Sequence, residues 1–143
     1  MIYEEICTYE VCKLAKEKGF NCKVYNYYQA TKHYCETLRG IELHSECWKL
    51  ETDDCYSRYN MGSGDIVSAP TQSLLQRWLR EEKNVHIEIV ATACGYMWIA
   101  DKTNGTAISD SDILDRGTND GGCFDTFELA LEDALEYVLK NLV

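Results

Sequence analysis

The densest run of side chains able to hold a metal is His33, Cys35, His44, Cys47 and Cys55, five zinc-type ligands within 23 positions. Their spacing does not suit a structural site. Such sites close a tetrahedron from tight ligand pairs, and this chain has no C-x-x-C; its nearest analogue is His44 with Cys47. Ordinary side chains are the preferred reading, with His33, Cys35, His44 and Cys47 kept as the zinc candidates. A thiol nucleophile needs an imidazole beside it, and the first pair to consider is Cys94, at a reversal, with His86 on the preceding strand. Alternation turns His86 away from Val85 and Ile87, so a surface histidine and a packed thiol are expected instead. Asp110, Asp112 and Asp115 resemble the opening of a calcium loop, yet Asp115 occupies the sixth position, where a glycine must turn the chain. A solvated acidic loop is the expectation there. Gly62, Gly64, Gly117, Gly121 and Gly122 match neither a phosphate-binding loop nor a dinucleotide fingerprint, and no cofactor is expected.

Aromatic residues form the other concentration. Tyr25, Tyr27, Tyr28, Tyr34, Tyr56 and Tyr59, with Trp48, crowd one part of the chain, and aromatic side chains supply large rigid contact area at protein interfaces. The plainer role is packing, with the ring buried and the hydroxyl wet. These six tyrosines are the candidate partner-binding residues.

Three helices and several strands must position these groups. The stretch 69–89 is the organising one: Pro70 extends Ala69, Thr71 caps, and Leu74, Leu75, Trp78 and Leu79 form one apolar stripe while Gln72, Ser73, Gln76, Arg77 and Arg80 fall elsewhere. Asn84 is a left-handed stop, after which Val85, Ile87 and Ile89 alternate with His86 and Glu88 as a half-buried strand. Upstream, Thr8 caps a helix to about Lys18, with Val11, Leu14 and Ala15 inside and Cys12 beside them; Gly19 ends it and Phe20 folds back. Residues 22–28 favour a strand. Between Gln29 and Ser68 periodicity fades, which predicts short strands and loops. A meander follows the central helix: strand 85–91, a reversal at Ala93 to Gly95, strand 96–100, then the hairpin signal Asn104-Gly105 and a return through Thr106 to Ile108. Beyond a polar loop at 109–123, Thr126 or Asp125 caps a last helix striped by Phe127, Leu131, Ala134, Leu135, Val138 and Leu142.

The 143 residues suffice for one domain with its own core. Hydrophobic content of 45% with one proline argues against disorder. No apolar run approaches a bilayer span and the first residues lack a basic-then-apolar leader, so a soluble cytoplasmic protein with no membrane role is expected. Eight cysteines scattered through the elements then read as reduced thiols. The net charge of -10 is concentrated at the C-terminal end, where residues 110–143 hold nine acidic and two basic side chains. That field repels nucleic-acid backbones, excludes direct nucleic-acid binding, and attracts a basic protein partner.

Three segments, CTYEVCKLAKEKGF at 7–20, APTQSLLQRWLREEKNVHIEI at 69–89 and FDTFELALEDALEYVLKNL at 124–142, together resemble a family of short uncharacterised proteins common in gut anaerobic bacteria and their phages. The resemblance implies a shared fold module and a bacterial or phage source; it supplies no catalytic residue. The reading is a single α+β domain over 1–143, an antiparallel sheet with about three helices packed mainly on one face. With no convergent catalytic motif, the expected function is a non-enzymatic protein-binding or accessory module. The alternatives are a small thiol-dependent enzyme or regulator and an acidic phage-type inhibitor that mimics nucleic acid.

Overall fold

Each helix in the computed structural model, which describes residues 1–61, 64–102 and 123–143, begins on a threonine. The hydroxyl of Thr8 accepts the amide of Val11 at 3.4 Å, that of Thr71 the amide of Leu74 at 3.2 Å, and that of Thr126 the amide of Leu129 at 3.1 Å. Each bond satisfies a donor that the first helical turn leaves unpaired. Helix α1 is Tyr9–Glu17, α2 is Gln72–Glu82 and α3 is Phe127–Asn141. Gly19, at φ +93°, turns the chain after α1 so that the Phe20 amide reaches Ala15 O at 2.9 Å. Asn84, at φ +57°, stops α2 and leads directly into a strand.

The strands are β1 (Val24–Thr37), β2 (Gly40–Ser57), β3 (Ile66–Ser68), β4 (Val85–Thr92) and β5 (Gly95–Lys102). All pairing is antiparallel, and the α+β expectation is borne out. The strands divide, however, into two sheets, one ordered β2-β1-β3 and the other the β4-β5 hairpin. The expectation of short strands and loops across 29–68 is wrong: β1 and β2 form the two longest strands described. The expected return strand at Thr106 to Ile108 and the acidic loop with Asp110, Asp112 and Asp115 lie outside the described residues.

Helices α2 and α3 cover β4-β5, whose inward Val85, Ile87, Trp98 and Ala100 meet Leu75, Leu79, Leu131, Leu135 and Val138 in one core that also takes in Val11, Ala15 and Phe20 of the α1 region. Burial of this apolar surface is the main stabilising term. Several details depart from the sequence patterns, Leu74 and Leu142 among them, which are half-buried. Phe127 is 43% exposed, its ring edge-on to Tyr96, and Ala130 and Leu139 take inner positions on α3. Leu14 is only half-buried. Gln72 is buried, because its amide donates to Glu128 O at 3.0 Å and to Glu132 Oε2 at 2.7 Å; the other oxygen of Glu132 accepts the Thr8 amide at 2.8 Å. One carboxylate on α3 thereby ties down the starts of α1 and α2. No helix among the described residues is long and apolar enough to cross a membrane.

Candidate functional site

Strands β1 and β2 leave the core together. Val24 is buried at the root, and Tyr28 and Trp48 are half-buried, but every residue of 31–44 is exposed. That stretch is a two-stranded arm, solvated on both faces, reaching roughly 23 Å past the root at ~3.3 Å per residue over 31–37. Thr31, Tyr34 and Thr37 suit extended backbone. At the tip, Thr37 Oγ1 donates to Gly40 O at 3.1 Å and accepts the Arg39 amide at 3.2 Å, while Gly40 adopts φ +114°. Only glycine takes that φ without strain.

Register sorts the arm into two faces. Opposite residues share a face, so Tyr28 with Leu50, Ala30 with Trp48, Lys32 with Glu46, Tyr34 with Leu43, and Glu36 with Ile41 lie on one side. The root of this face is anchored: Tyr9 of α1 stacks on Trp48 at 4.5 Å and meets Tyr28 edge-on at 5.9 Å, and the Tyr28 hydroxyl donates to Cys7 O at 2.7 Å. Burial pushes the Tyr28 phenol up to about 12. Lys32 Nζ lies 2.6 Å from Asp65, beside the end of β3. Farther out the same face carries Tyr34, Ile41 and Leu43, and Leu38 sits at the tip; their exposures run from 49% to 108%. The face is therefore apolar at its root and again around Tyr34, Leu43 and Ile41, with Lys32 and Glu46 between the two parts.

The opposite face holds Thr31 with Cys47, His33 with Ser45, and Cys35 with Glu42. His44 is the extra residue of a bulge where the register shifts between His33 and Tyr34. His33, Cys35 and Cys47 thus share a face, but among the described residues no three His, Cys, Asp or Glu side chains group closely enough to hold a metal. Cys55 lies near the root, its amide on Asp53 Oδ1 at 3.1 Å. His86 sits opposite Asp101 near one end of the β4-β5 hairpin and Cys94 in the turn at the other, about 20 Å apart along the strand. They are not a catalytic pair.

The six tyrosines do not form one surface. Tyr28 is structural, Tyr34 is on the arm, and Tyr27 packs on Tyr59 at 4.4 Å with the Tyr59 hydroxyl donating to Asp53 Oδ2 at 2.8 Å. Tyr25 and Tyr56, 4.1 Å apart, flank an open groove of about 480 Å³ with Lys23, Pro70, Leu74 and Arg77. Its Arg77 is paired with Glu81 at 2.8 Å, and Ser73, which also lines it, donates its hydroxyl to Glu4 Oε1 at 2.9 Å. Sequence reasoning missed Leu38, Ile41 and Leu43. The available signal was Thr37-Leu38-Arg39-Gly40, the same T-x-x-G pattern as Thr92-Ala93-Cys94-Gly95, which closes β4-β5 with matching threonine bonds.

No family, curated protein or solved structure matches this chain.

Proposed function

We propose that this protein is a non-enzymatic protein-binding module that docks a partner on the apolar face of its β1-β2 arm. The carrying observation is the arm itself: Tyr34, Leu38, Ile41 and Leu43 are exposed on a ribbon that contributes no residue to the buried core cluster. Exposed apolar side chains gathered in one place are the ordinary mark of a contact surface. The net charge of -10 lies mainly in residues 110–143, and the arm over 31–44 balances Lys32 and Arg39 against Glu36 and Glu42, so contact at the arm rests on its apolar side chains.

Affinity purification with the intact chain and with a chain carrying Tyr34→Ser, Ile41→Ser and Leu43→Ser tests this. One protein should co-purify stoichiometrically with the intact chain and be lost with the triple variant, while a Tyr56→Ser control retains it. Equal recovery by the triple variant, or stoichiometric uptake of a small molecule at the Tyr25–Tyr56 groove in place of any protein, would refute the assignment.

A further inference from the structure

The arm has a second feature, the open main-chain edge of β1. Along β1 the even-numbered residues point their main-chain groups toward β3, since the Ala69 amide donates to Asn26 O and the Ala30 amide donates to Asp65 O, both at 2.9 Å. Pairing with β3 extends only from Tyr27 to Gln29. Because the extra residue of the bulge belongs to β2, the alternation in β1 continues, and Lys32, Tyr34 and Glu36 direct their N–H and C=O groups to an edge that no described strand pairs. Such an edge is a template for another strand.

We infer that this edge is a homodimer interface, in which residues 31–37 of β1 pair antiparallel with the same residues of a second copy about a twofold axis at Tyr34. Four observations single out that occupant. The open length, 31–37, has Tyr34 at its midpoint, so two copies overlap fully and each turn reaches the end of the other's β3. The hydrogen-bonding phase is correct, because Tyr34 meets Tyr34, and Lys32 meets Glu36, as pairs that exchange both main-chain bonds. Charge is complementary: Lys32, whose ammonium already holds Asp65 of its own chain at 2.6 Å, also faces Glu36 twice, once on each side of the axis. Sliding the register by two residues in either direction removes this match, setting Tyr34 opposite Glu36 or opposite Lys32. Side chains agree as well, since Leu43, Tyr34 and their two symmetry mates form one apolar row across a four-stranded sheet.

Seven residues per chain make a small interface, so sedimentation of the purified protein is measured from about 1 µM to about 1 mM. The intact chain should pass from monomer to dimer within that range. Glu36→Lys sets lysine against lysine, and Lys32→Glu sets glutamate against glutamate; each should raise the dimer dissociation constant about tenfold or more. Mixed in equal amounts, the two variants regain both opposite-charge pairs and should form a heterodimer with near-native affinity. Lys32→Glu also breaks the ion pair with Asp65 in its own chain, so circular dichroism checks that each variant is folded and recovery on mixing separates that loss from the loss between copies. An intact chain that stays monomeric throughout overturns the inference and leaves Lys32 and Glu36 as guards of the edge. A dimer indifferent to either substitution, or folded variants that do not recover on mixing, overturns it too. The measurement uses the protein alone, so its outcome is separate from that of the partner search.

Discussion

The thiols of Cys7 and Cys12 are both fully buried beneath Tyr28, and Cys7 is pushed well above the ordinary thiol range by its hydrogen bond with Cys12 and by burial. A neutral, enclosed thiol is a poor nucleophile. Alkylation followed residue by residue should therefore modify Cys35, Cys47, Cys55 and Cys94 at similar rates and reach Cys7 and Cys12 only on unfolding. One exposed thiol reacting far ahead of the rest would instead favour the thiol-dependent alternative. Tyr28 makes a second residue-scale prediction. Its folded phenol stays protonated up to about 12, above the unfolded value of 10.0, so its contribution is complete below pH 10 and is lost as pH rises through 12. Tyr28→Phe should flatten that alkaline loss and, by removing the bond to Cys7 O, cost about 1 kcal/mol near neutral pH. Chemical denaturation at pH 7 and above pH 10 measures both effects.

At the scale of elements, the two T-x-x-G turns share one local design but differ in surroundings. A Cβ on Gly40 would meet nothing within 4 Å, whereas one on Gly95 would collide with Phe124 O, since Phe124 bridges Tyr96 through two main-chain bonds. Gly40→Ala should thus cost about 1 kcal/mol, from backbone strain in the arm tip, and Gly95→Ala about 2–4 kcal/mol. Comparable losses in thermal unfolding would show that Phe124 does not pack there. The tie between helices is as specific. Gln72→Ala leaves Glu132 Oε2 without its amide donor and should destabilise by about 1–3 kcal/mol.

For the whole molecule, core and arm are separable. No residue of 31–47 belongs to the buried cluster, and the deepest packing joins α1, α2, α3 and the β4-β5 hairpin. Replacing 32–46 by an Asn-Gly turn that links Thr31 to Cys47, a pair that faces main chain to main chain, should keep the Tyr9–Trp48 stack and leave the melting temperature within about 5 °C of the intact chain. The shortened chain should also neither dimerise nor hold a partner. A collapse of the far-ultraviolet spectrum on shortening would mean that the arm is part of the folding unit.

Local chemistry in the chain alone determined the three helices, their threonine caps, the stops at Gly19 and Asn84, and the β4-β5 hairpin, because each has one buried face and a matching period. The arm was hidden for the converse reason. A ribbon solvated on both faces needs no alternation, so Gln29 to Ser68 resembled loop although its turn motif was present. Burial of Gln72 depended on a carboxylate 60 residues away, and the separation of His86 from Cys94, like the dispersal of six tyrosines over several surfaces, depended on register. Periodicity reports contact with a core; which polar groups meet, and which edges stay open, is decided only when distant segments take their places.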